Sequence, residues 1–354
     1  MNRRDFIKKS LIAGTVVAAG AATGGYIFID KTADGKFMES FGKLPSGNRL
    51  ELIKNSPNYK DGQFQNEIPT TVMTGNKSGF QTMWDFLTEK RKDLAPAQPV
   101  PSVKTDFNSL PKDKDFIIWF GHSSYLLQIN GIKILVDPVL IQGSPVKFIN
   151  KPYPGTDIYK PQDIPEVDFL VISHDHWDHL DYFTVKELKS KIKNIVVPLG
   201  VGEHFEYWNF PLDKITELDW YKDAEIGGTK FYCFPARHFS GRSIFRNKTL
   251  WASFVLEFAD GKKVYIGGDS GYGPHFKYTG EHFPDIDLAI LENGQYNQDW
   301  NQIHTMPEEL GIAMQELNAK QYVTVHHSKY TLSKHSWDDP LKTELQAAKD
   351  SNKD

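Results

Sequence analysis

The feature that most constrains this chain is a run of metal-binding side chains placed directly after an apolar segment. Residues 167–172 are mostly apolar and rich in β-branched side chains, a pattern that predicts a short buried strand. His174, His176, Asp178 and His179 follow within six residues. A loop this rich in imidazole and carboxylate groups at the end of a buried strand predicts a metal site at the edge of a sheet.

The spacing of these four side chains divides them into two pairs. Side chains alternate along an extended segment, so His174 and His176 point the same way and can bind one ion. Asp178 and His179 follow where the chain turns toward a helix, and they can reach a second ion a few ångströms away. Imidazole together with carboxylate favours zinc, with manganese or iron as less favoured alternatives. We therefore expect two ions per chain.

Composition limits the class of protein. The chain has 354 residues, 40% of them hydrophobic, which is enough for a substantial core. Its formal net charge of −4 gives no electrostatic basis for binding nucleic acid. Cys233 is the single cysteine, which excludes an internal disulfide and any multi-cysteine zinc or iron–sulfur site. Its strand-like surroundings predict a packed thiol.

Residues 1–30 have the sequence pattern of an export signal. Arg3 and Arg4 lie in a basic segment, and residues 10–29 hold no charged side chain. This arrangement resembles a twin-arginine signal, which carries folded proteins across a bacterial inner membrane. We therefore expect export to the periplasm. About 20 apolar residues can also span a bilayer, so cleavage of the segment and its retention as an inner-membrane anchor both stay open.

The rest of the chain divides into an extension and a compact domain. Residues 31–114 are polar, rich in Pro, Gly and Asn, and weakly periodic, so we expect them to wrap the main domain. Within them, only residues 81–90 have a convincing helical pattern. The compact domain is expected from 115 to 354 and contains the candidate metal-binding residues.

The compact domain is predicted to be α+β, with two β-rich halves that are each followed by helix. Strands are expected at residues 116–120, 125–129, 132–136, 194–198, 230–236, 253–258, 263–267, 287–291 and 322–325. The Asn130-Gly131 pair predicts a hairpin turn between two of them. Helices are expected at 184–192 and 307–319, the second with Thr305 as a cap. This order agrees with a four-layer αββα sandwich.

Three later strand ends offer further metal ligands. His238, Asp269 and His326 each follow an apolar strand-like run, as expected when ligands gather along one edge of a sheet sandwich. His327 competes with His326, because alternation along the strand allows one of the two to face the metal; the position directly after Val325 favours His326.

The motif His-x-His-x-Asp-His after an apolar strand resembles the metallo-β-lactamase fold superfamily. The resemblance implies that His174, His176 and His238 hold a first metal. It implies that Asp178, His179 and His326 hold a second, with Asp269 as the bridging ligand. Two ions at such a site would acidify a shared water and give a hydroxide nucleophile, so the chemistry implied is hydrolysis. The resemblance therefore implies that residues 115–354 form a metallo-hydrolase domain.

A narrower resemblance extends from about residue 57 to residue 340. The chain resembles the N-acylphosphatidylethanolamine-hydrolysing phospholipase D family in the blocks 119–124, 136–138, 174–182, 197–200, 217–220, 268–272 and 304–309. That family uses two zinc ions to cleave a phosphodiester of an N-acylated phospholipid. The resemblance implies a phospholipid or other phosphodiester substrate and attack of a metal-bound hydroxide on phosphorus. Aromatic residues make up 13% of the chain, and they could line an acyl groove or contact a membrane surface, or else pack in the core.

The candidate catalytic residues are Asp178, His304 and Asp137, and the role of His304 is implied by the same resemblance. His304 would contact the phosphate or donate a proton, or else only start a helix. Asp137 would hydrogen-bond the second nitrogen of a metal histidine, although Asp-Pro is also an ordinary turn. His122 would line the cleft or satisfy backbone groups in a tight turn, and His327 is a further candidate beside the site.

The chain departs from the lipid enzymes near two of the expected ligands, at residues 239–243 and 327–330. The metal chemistry therefore carries over, whereas the acyl-chain specificity does not. A lactonase, or another hydrolase of a small anionic substrate with this fold, is the leading enzymatic alternative. A non-catalytic metal-binding scaffold is the alternative from a different class, although no expected ligand is lost.

Overall fold

The computed structural model describes residues 36–75, 93–145 and 150–351. The chain forms two compact units, residues 1–40 and residues 41–354. Helix α1 (Lys36–Ser40) is the described part of the first unit. The predicted signal at 1–30 and the predicted helix at 81–90 lie outside the described residues. Within the described ranges, no helix has both the length and the apolar character needed to cross a membrane.

The second unit begins with a small helical and hairpin segment that is held by tertiary contacts. Its elements are α2 (Gly47–Lys54), β1 (Tyr59–Lys60) and β2 (Gln63–Phe64). Ile53 and Phe64 are fully buried in the central core. The expectation that this part holds no helix besides 81–90 is therefore wrong at α2. Its weak periodicity hid the helix, because one buried side chain and the ion pairs of Arg49 anchor it.

The first large sheet has six strands in the order β3-β4-β5-β6-β7-β8. These are β3 (Phe116–Trp119), β4 (Tyr125–Ile129), β5 (Ile132–Val136), β6 (Val167–Val171), β7 (Ile192–Pro198) and β8 (Ile215–Leu218). The first three strands form an antiparallel meander and β5 to β8 are parallel. Asn130 and Gly131 both have positive φ in the predicted hairpin turn.

The second sheet repeats this plan with six strands in the order β14-β13-β12-β11-β10-β9. These are β9 (Asp223–Ile226), β10 (Thr229–Phe234), β11 (Ser253–Glu257), β12 (Lys263–Ile266), β13 (Leu288–Glu292) and β14 (Gln321–Val325). Strands β9 to β12 are antiparallel, and β12, β13 and β14 are parallel.

Alternating side chains build three apolar layers from these two sheets. Tyr125 and Leu127 face the other sheet, where they join residues such as Phe231 and Phe254, whereas Leu126 faces outward. The outer faces are covered by α3 (Tyr182–Leu188), α4 (Gly202–Tyr207), α5 (His275–His282), α6 (Pro307–Leu317) and α7 (Asp339–Ser351). The predicted α+β four-layer αββα sandwich is confirmed.

Differences from the predicted elements occur where tertiary contacts decide the structure. Strands β8 and β9 were not expected, since neither has the continuous apolar run of a buried strand. Helix α3 begins earlier than expected because Asp181 caps it by accepting from the Phe183 amide. The prediction that Thr305 caps α6 is wrong. Its hydroxyl donates instead to the Ser270 carbonyl oxygen, and Met306 occupies the N-cap position.

Candidate metal centre

The candidate site lies at one edge of the sandwich, where strands of both sheets end. His122 follows β3, Asp137 follows β5, and His326 follows β14. All three have positive φ values, of 54°, 40° and 71° respectively. Such left-handed backbone is strained for a residue with a Cβ atom, and it aims these side chains back across the strand ends.

His174, His176 and His238 form the first group of nitrogen atoms. Nδ1 of His176 lies 2.8 Å from Nε2 of His174 and 3.2 Å from Nε2 of His238. Burial holds the pKa of His174 and of His238 well below the usual range and lowers that of His176 to about 4. Three neutral imidazoles that converge in this way, two of them buried and that of His176 partly buried, form a donor set suited to a cation such as zinc.

His122, Asp178, His179 and His326 form the second group. Nδ1 of His179 donates to Oδ2 of Asp137 at 2.8 Å, and its Nε2 makes no hydrogen bond with any described residue. Burial disfavours the charged form of His179, but the carboxylates of Asp269 and Asp137 outweigh it and raise its pKa. Oδ2 of Asp178 lies 2.9 Å from Nε2 of His122. The second group therefore joins imidazoles to a carboxylate.

Asp269 lies between the two groups. Its Oδ2 is 3.2 Å from Nε2 of His179 and 3.7 Å from Nε2 of His238, and its Oδ1 is 3.0 Å from Nδ1 of His326. Burial raises the pKa of this carboxyl to about 6. The convergence of imidazoles on a buried carboxylate fits bound cations, and Asp269 lies within 3.7 Å of a nitrogen atom of each group.

Asp137 orients one member of the second group, His179, through a hydrogen bond to its Nδ1. Its Oδ1 accepts from the Ser173 amide at 2.8 Å, and its Oδ2 accepts from the Ser173 hydroxyl and from Nδ1 of His179. A carboxylate on Nδ1 fixes the imidazole tautomer that leaves Nε2 free to bind a metal. The structure thus places Asp137 in contact with a candidate ligand and outside the ligand cluster.

His304 and His327 occupy different surroundings. The His304 ring lies 5.1 Å from the His238 ring and 5.2 Å from the His326 ring, which places it beside both candidate metal groups. The His327 side chain turns away from them. Its nitrogens lie beside the hydroxyls of Ser328 and Thr324, at 2.8 and 3.3 Å. The structure therefore leaves His327 outside the cluster.

Arg242 is a buried residue near the site that the sequence analysis did not assign. Its Nη1 donates to the carbonyl oxygens of Asp175 and Leu180, at 3.0 and 2.6 Å, and its guanidinium lies 4.0 Å from the centre of the Trp177 ring. These contacts hold both ends of the loop that carries His174 to His179. The place of Arg242 in the atypical segment 239–243 was the one signal that pointed to it.

Glu292, at the end of β13, is the second residue that was missed. Its Oε2 lies 2.8 Å from Nδ1 of His304, and its Oε1 accepts from the Thr305 amide at 2.6 Å. It is buried, and it belongs with Asp269, His304 and His326 to a group of metal-capable side chains. Its position at the end of an apolar run is the one signal in the sequence, but a glutamate at that position more often carries solvent-exposed charge.

Known proteins resemble this chain in amino-acid sequence over most of its length. A family model described as a beta-lactamase superfamily domain matches residues 133–327. An uncharacterized protein of Mycobacterium tuberculosis is 36% identical over 302 residues, which make up 84% of this chain and 81% of the relative. The chain belongs to the beta-lactamase superfamily.

Two further matches are an enzyme similar in sequence and a solved structure similar in fold. N-acyl-phosphatidylethanolamine-hydrolyzing phospholipase D 1 of Caenorhabditis elegans is 29% identical over 271 residues, covering 71% of this chain and 74% of the relative. The crystal structure of CmlA, a diiron beta-hydroxylase from Streptomyces venezuelae, matches with a TM-score of 0.53 and 14% identity, over 69% of this chain and 52% of CmlA; this likeness shows the fold alone. The superfamily resemblance is thus confirmed, and the protein is a metallo-hydrolase of this superfamily related to that phospholipase.

Proposed function

We propose that the protein is a binuclear, zinc-dependent phosphodiesterase of the phospholipase D type that acts on N-acylphosphatidylethanolamine-like lipids. The observation that carries this proposal is the pair of donor groups that lie on either side of the buried carboxylate of Asp269. The first group is made of three neutral imidazoles and the second contains a carboxylate. When bound there, two cations would supply positive charge for phosphoryl oxygens and would activate a water molecule.

The residues of the chain have separate tasks in this proposal. Asp137 fixes the tautomer of His179. His122 holds the Asp178 carboxylate through the 2.9 Å contact of its Nε2, so that the carboxylate keeps one orientation in the second group. His304 lies beside both groups, where its imidazole can contact a phosphoryl or leaving-group oxygen.

The surroundings of His176 support an amphiphilic substrate. Phe239 packs against its ring at 4.4 Å, and the loop that follows exposes Ile244 by 74% and Phe245 by 53%. The guanidinium of Arg246 lies 5.2 Å from the Phe239 ring. Exposed apolar side chains next to a cation suit acyl chains and an anionic phosphate at a lipid surface. We propose that this loop contacts the membrane during catalysis.

The proposed location follows from the twin-arginine pattern of residues 1–30. An enzyme exported in this way would meet envelope phospholipid in the periplasm, either free or attached to the inner membrane. Fractionation of cells that express the full chain, followed by detection of its mature N-terminus, tests this location. Recovery of the unprocessed chain from the cytoplasm would refute it.

The function is tested with the full chain purified in detergent and its metal content measured on the same sample. The substrates are N-acylphosphatidylethanolamine in vesicles, unmodified phosphatidylethanolamine, bis(p-nitrophenyl) phosphate and a lactone. The proposal expects release of N-acylethanolamine that depends on about two metal ions per chain. Two ions with hydrolysis of the lactone alone would move the substrate to the lactonase class, and bound metal without any turnover would favour a scaffold.

A further inference from the structure

Lys329 is a buried lysine in the segment 327–330, where the sequence departs from the lipid enzymes, and it is 3% exposed. Its Nζ donates to the carbonyl oxygens of Phe120 and Val139, at 3.0 and 2.8 Å. Among the described residues, no carboxylate lies within ion-pair distance of this nitrogen. Burial lowers the pKa of the ammonium to about 8. A buried cation without a charged partner is costly, so the fold must gain from the groups that it joins.

The two carbonyl groups belong to loops that carry site residues. Phe120 lies two residues before His122, in the turn between β3 and β4. Val139 lies two residues after Asp137, in the segment that leaves β5. The ammonium therefore ties together the two loops of the first sheet that place His122 and Asp137 at the candidate site.

The backbone of Lys329 belongs to a third segment, the end of β14 in the second sheet. Lys329 lies three residues after His326. The His326 amide donates to the His122 carbonyl oxygen at 3.0 Å, and the His122 amide donates to the His327 carbonyl oxygen at 2.9 Å. These two hydrogen bonds join the β3–β4 turn to the end of β14. Lys329 thus links three segments that come from both sheets.

The three linked segments contain strained backbone. Left-handed φ values at residues other than glycine gather there, at His122, Asp137, His326 and Ser328. Gly121 also has a positive φ, of 82°, and a Cβ atom at this position would lie 3.2 Å from Cδ of Lys329. Glycine therefore lets the turn pack directly on the stem of the lysine. Strained conformations of this kind persist only where the surrounding structure holds them.

We infer that Lys329 is a positioning residue of the second donor group, and that its ammonium holds three segments in the backbone conformation that aims His122 and His326 at a second cation. This inference deepens the proposed binuclear centre and rests on it. The hydrogen bonds of the ammonium reach backbone carbonyl groups only, so Lys329 acts through the backbone that it fixes. The first donor group follows β6 and β10, which the ammonium does not join, and it should not depend on Lys329.

Lys329→Met tests this role, since methionine has a similar length and no charge. We expect the dissociation constant of one metal ion to rise by about 10- to 100-fold, the range for loss of an outer hydrogen bond, and that of the other to change by less than about threefold. Both constants are measured on the full chain by competition with a chromophoric chelator. Lys329→Gln keeps an uncharged donor, so this milder variant should show a smaller change in the same direction.

Lys191→Met is the matched control. The Nζ of Lys191 donates to three carbonyl oxygens, those of Pro161, Gln162 and Ile164. These groups precede β6, at the opposite end of the sheet from the candidate site. The control should lower thermal stability and leave both metal constants unchanged. Equal changes in the two methionine variants would reduce Lys329 to a structural support and overturn the inference. Tighter metal binding in Lys329→Met would also overturn it, because the ammonium would then act by repelling the cation.

Amide hydrogen exchange in the metal-free protein gives a readout that needs neither metal nor turnover. The His122 and His326 amides form the two bonds that join the β3–β4 turn to β14. In Lys329→Met both amides should exchange at least about tenfold faster, whereas amides in the middle of β4 should change less. Lys191→Met should show no such selective change. Equal exchange of the two amides in the wild-type chain and in Lys329→Met would refute the positioning role.

The inference and the proposed function fail in different ways. A wild-type chain that binds two ions and responds to Lys329→Met as expected, but cleaves no phosphodiester, would reject the proposed function and leave the role of Lys329 intact. A wild-type chain that binds one ion at most would reject the binuclear centre, and with it the role of Lys329 toward a second cation.

Discussion

Asp137→Asn is the substitution that best separates metal binding from folding. Asp137 accepts from the Ser173 amide at 2.8 Å, from the Ser173 hydroxyl at 2.6 Å and from Nδ1 of His179 at 2.8 Å. Asparagine has the same shape but one acceptor oxygen. If that oxygen keeps the Ser173 amide, the new NH₂ group faces Nδ1 of His179 and favours the tautomer with the proton on Nε2. That tautomer cannot bind a metal through Nε2.

The size of the effect follows from this tautomer change. Loss of such an outer hydrogen bond lowers metal affinity by about 10- to 100-fold, or about 1.4 to 2.8 kcal/mol. One of the two proposed ions should be affected more strongly, because Asp137 contacts His179 directly and reaches His174 only through the Ser173 hydroxyl. The dissociation constant of each ion is measured by competition with a chromophoric chelator. We expect one strongly weakened step and one step that changes less.

Asp181→Asn provides the control for a buried aspartate in the same region. Asp181 accepts from the Ile141 and Gln142 amides at 3.0 and 2.9 Å and caps α3, but its hydrogen bonds reach no histidine. It should lower the free energy of unfolding of the metal-free protein by about 1 to 3 kcal/mol and leave both dissociation constants unchanged. Unchanged metal binding in Asp137→Asn, or equal weakening in Asp181→Asn, would refute the assigned role of Asp137.

Three further predictions concern the shared ligand, the pH dependence of stability and the rim of the site. Asp269→Asn should abolish turnover while the circular dichroism spectrum is retained. Full activity with two bound metals would contradict the proposal that Asp269 contacts both ions. Burial opposes the charge of Glu203, but Lys43 and Arg49 outweigh this effect and lower the pKa of the carboxyl. The carboxylate therefore contributes stability above about pH 4.3, and this contribution is lost as the pH falls further. The difference in unfolding free energy between wild type and Glu203→Gln should narrow from pH 7 to pH 3, and a constant difference would refute this prediction. Replacing Ile244 and Phe245 together by Ser should lower the fraction of protein that co-sediments with N-acylphosphatidylethanolamine vesicles, while the rate of hydrolysis of a soluble diester stays unchanged. Unchanged vesicle binding would refute the proposed lipid contact.

The sheet sandwich could be predicted because its central strands carry local signals. β4, β5 and β6 have continuous apolar runs, and Asn130-Gly131 marks a tight hairpin. The exposed edge strands do not carry such signals. β9 reads Asp-Ala-Glu-Ile with alternating exposure, and it is a strand because β10 supplies its hydrogen bonds. Helix α2 likewise depends on Arg49, whose carboxylate partners are more than 150 residues away in the sequence.

The candidate ligands could be anticipated from the sequence for a related reason. A residue that directly follows an apolar strand lies near the end of that strand, and this rule places His174 at the end of β6 in the first sheet and Asp269 and His326 at the ends of β12 and β14 in the second. What the rule could not supply is the backbone that aims them, such as the positive φ of His326. Such a conformation depends on the packing of both sheets rather than on the residue itself.

Glu292 and Arg242 show where sequence reasoning ends. A glutamate at a strand end and an arginine between Gly241 and Ser243 both suggest solvent-exposed charge, because these residue types are almost never fully buried unless paired. Here both are buried, and their partners are backbone groups and a histidine brought together by folding. A buried charge that bonds to the loops of a metal site must be justified by the order that it imposes on those loops, since apolar side chains would pack at lower cost. The most informative variants are therefore those of Glu292 and Arg242, because they change the geometry of the site while every candidate ligand stays in place.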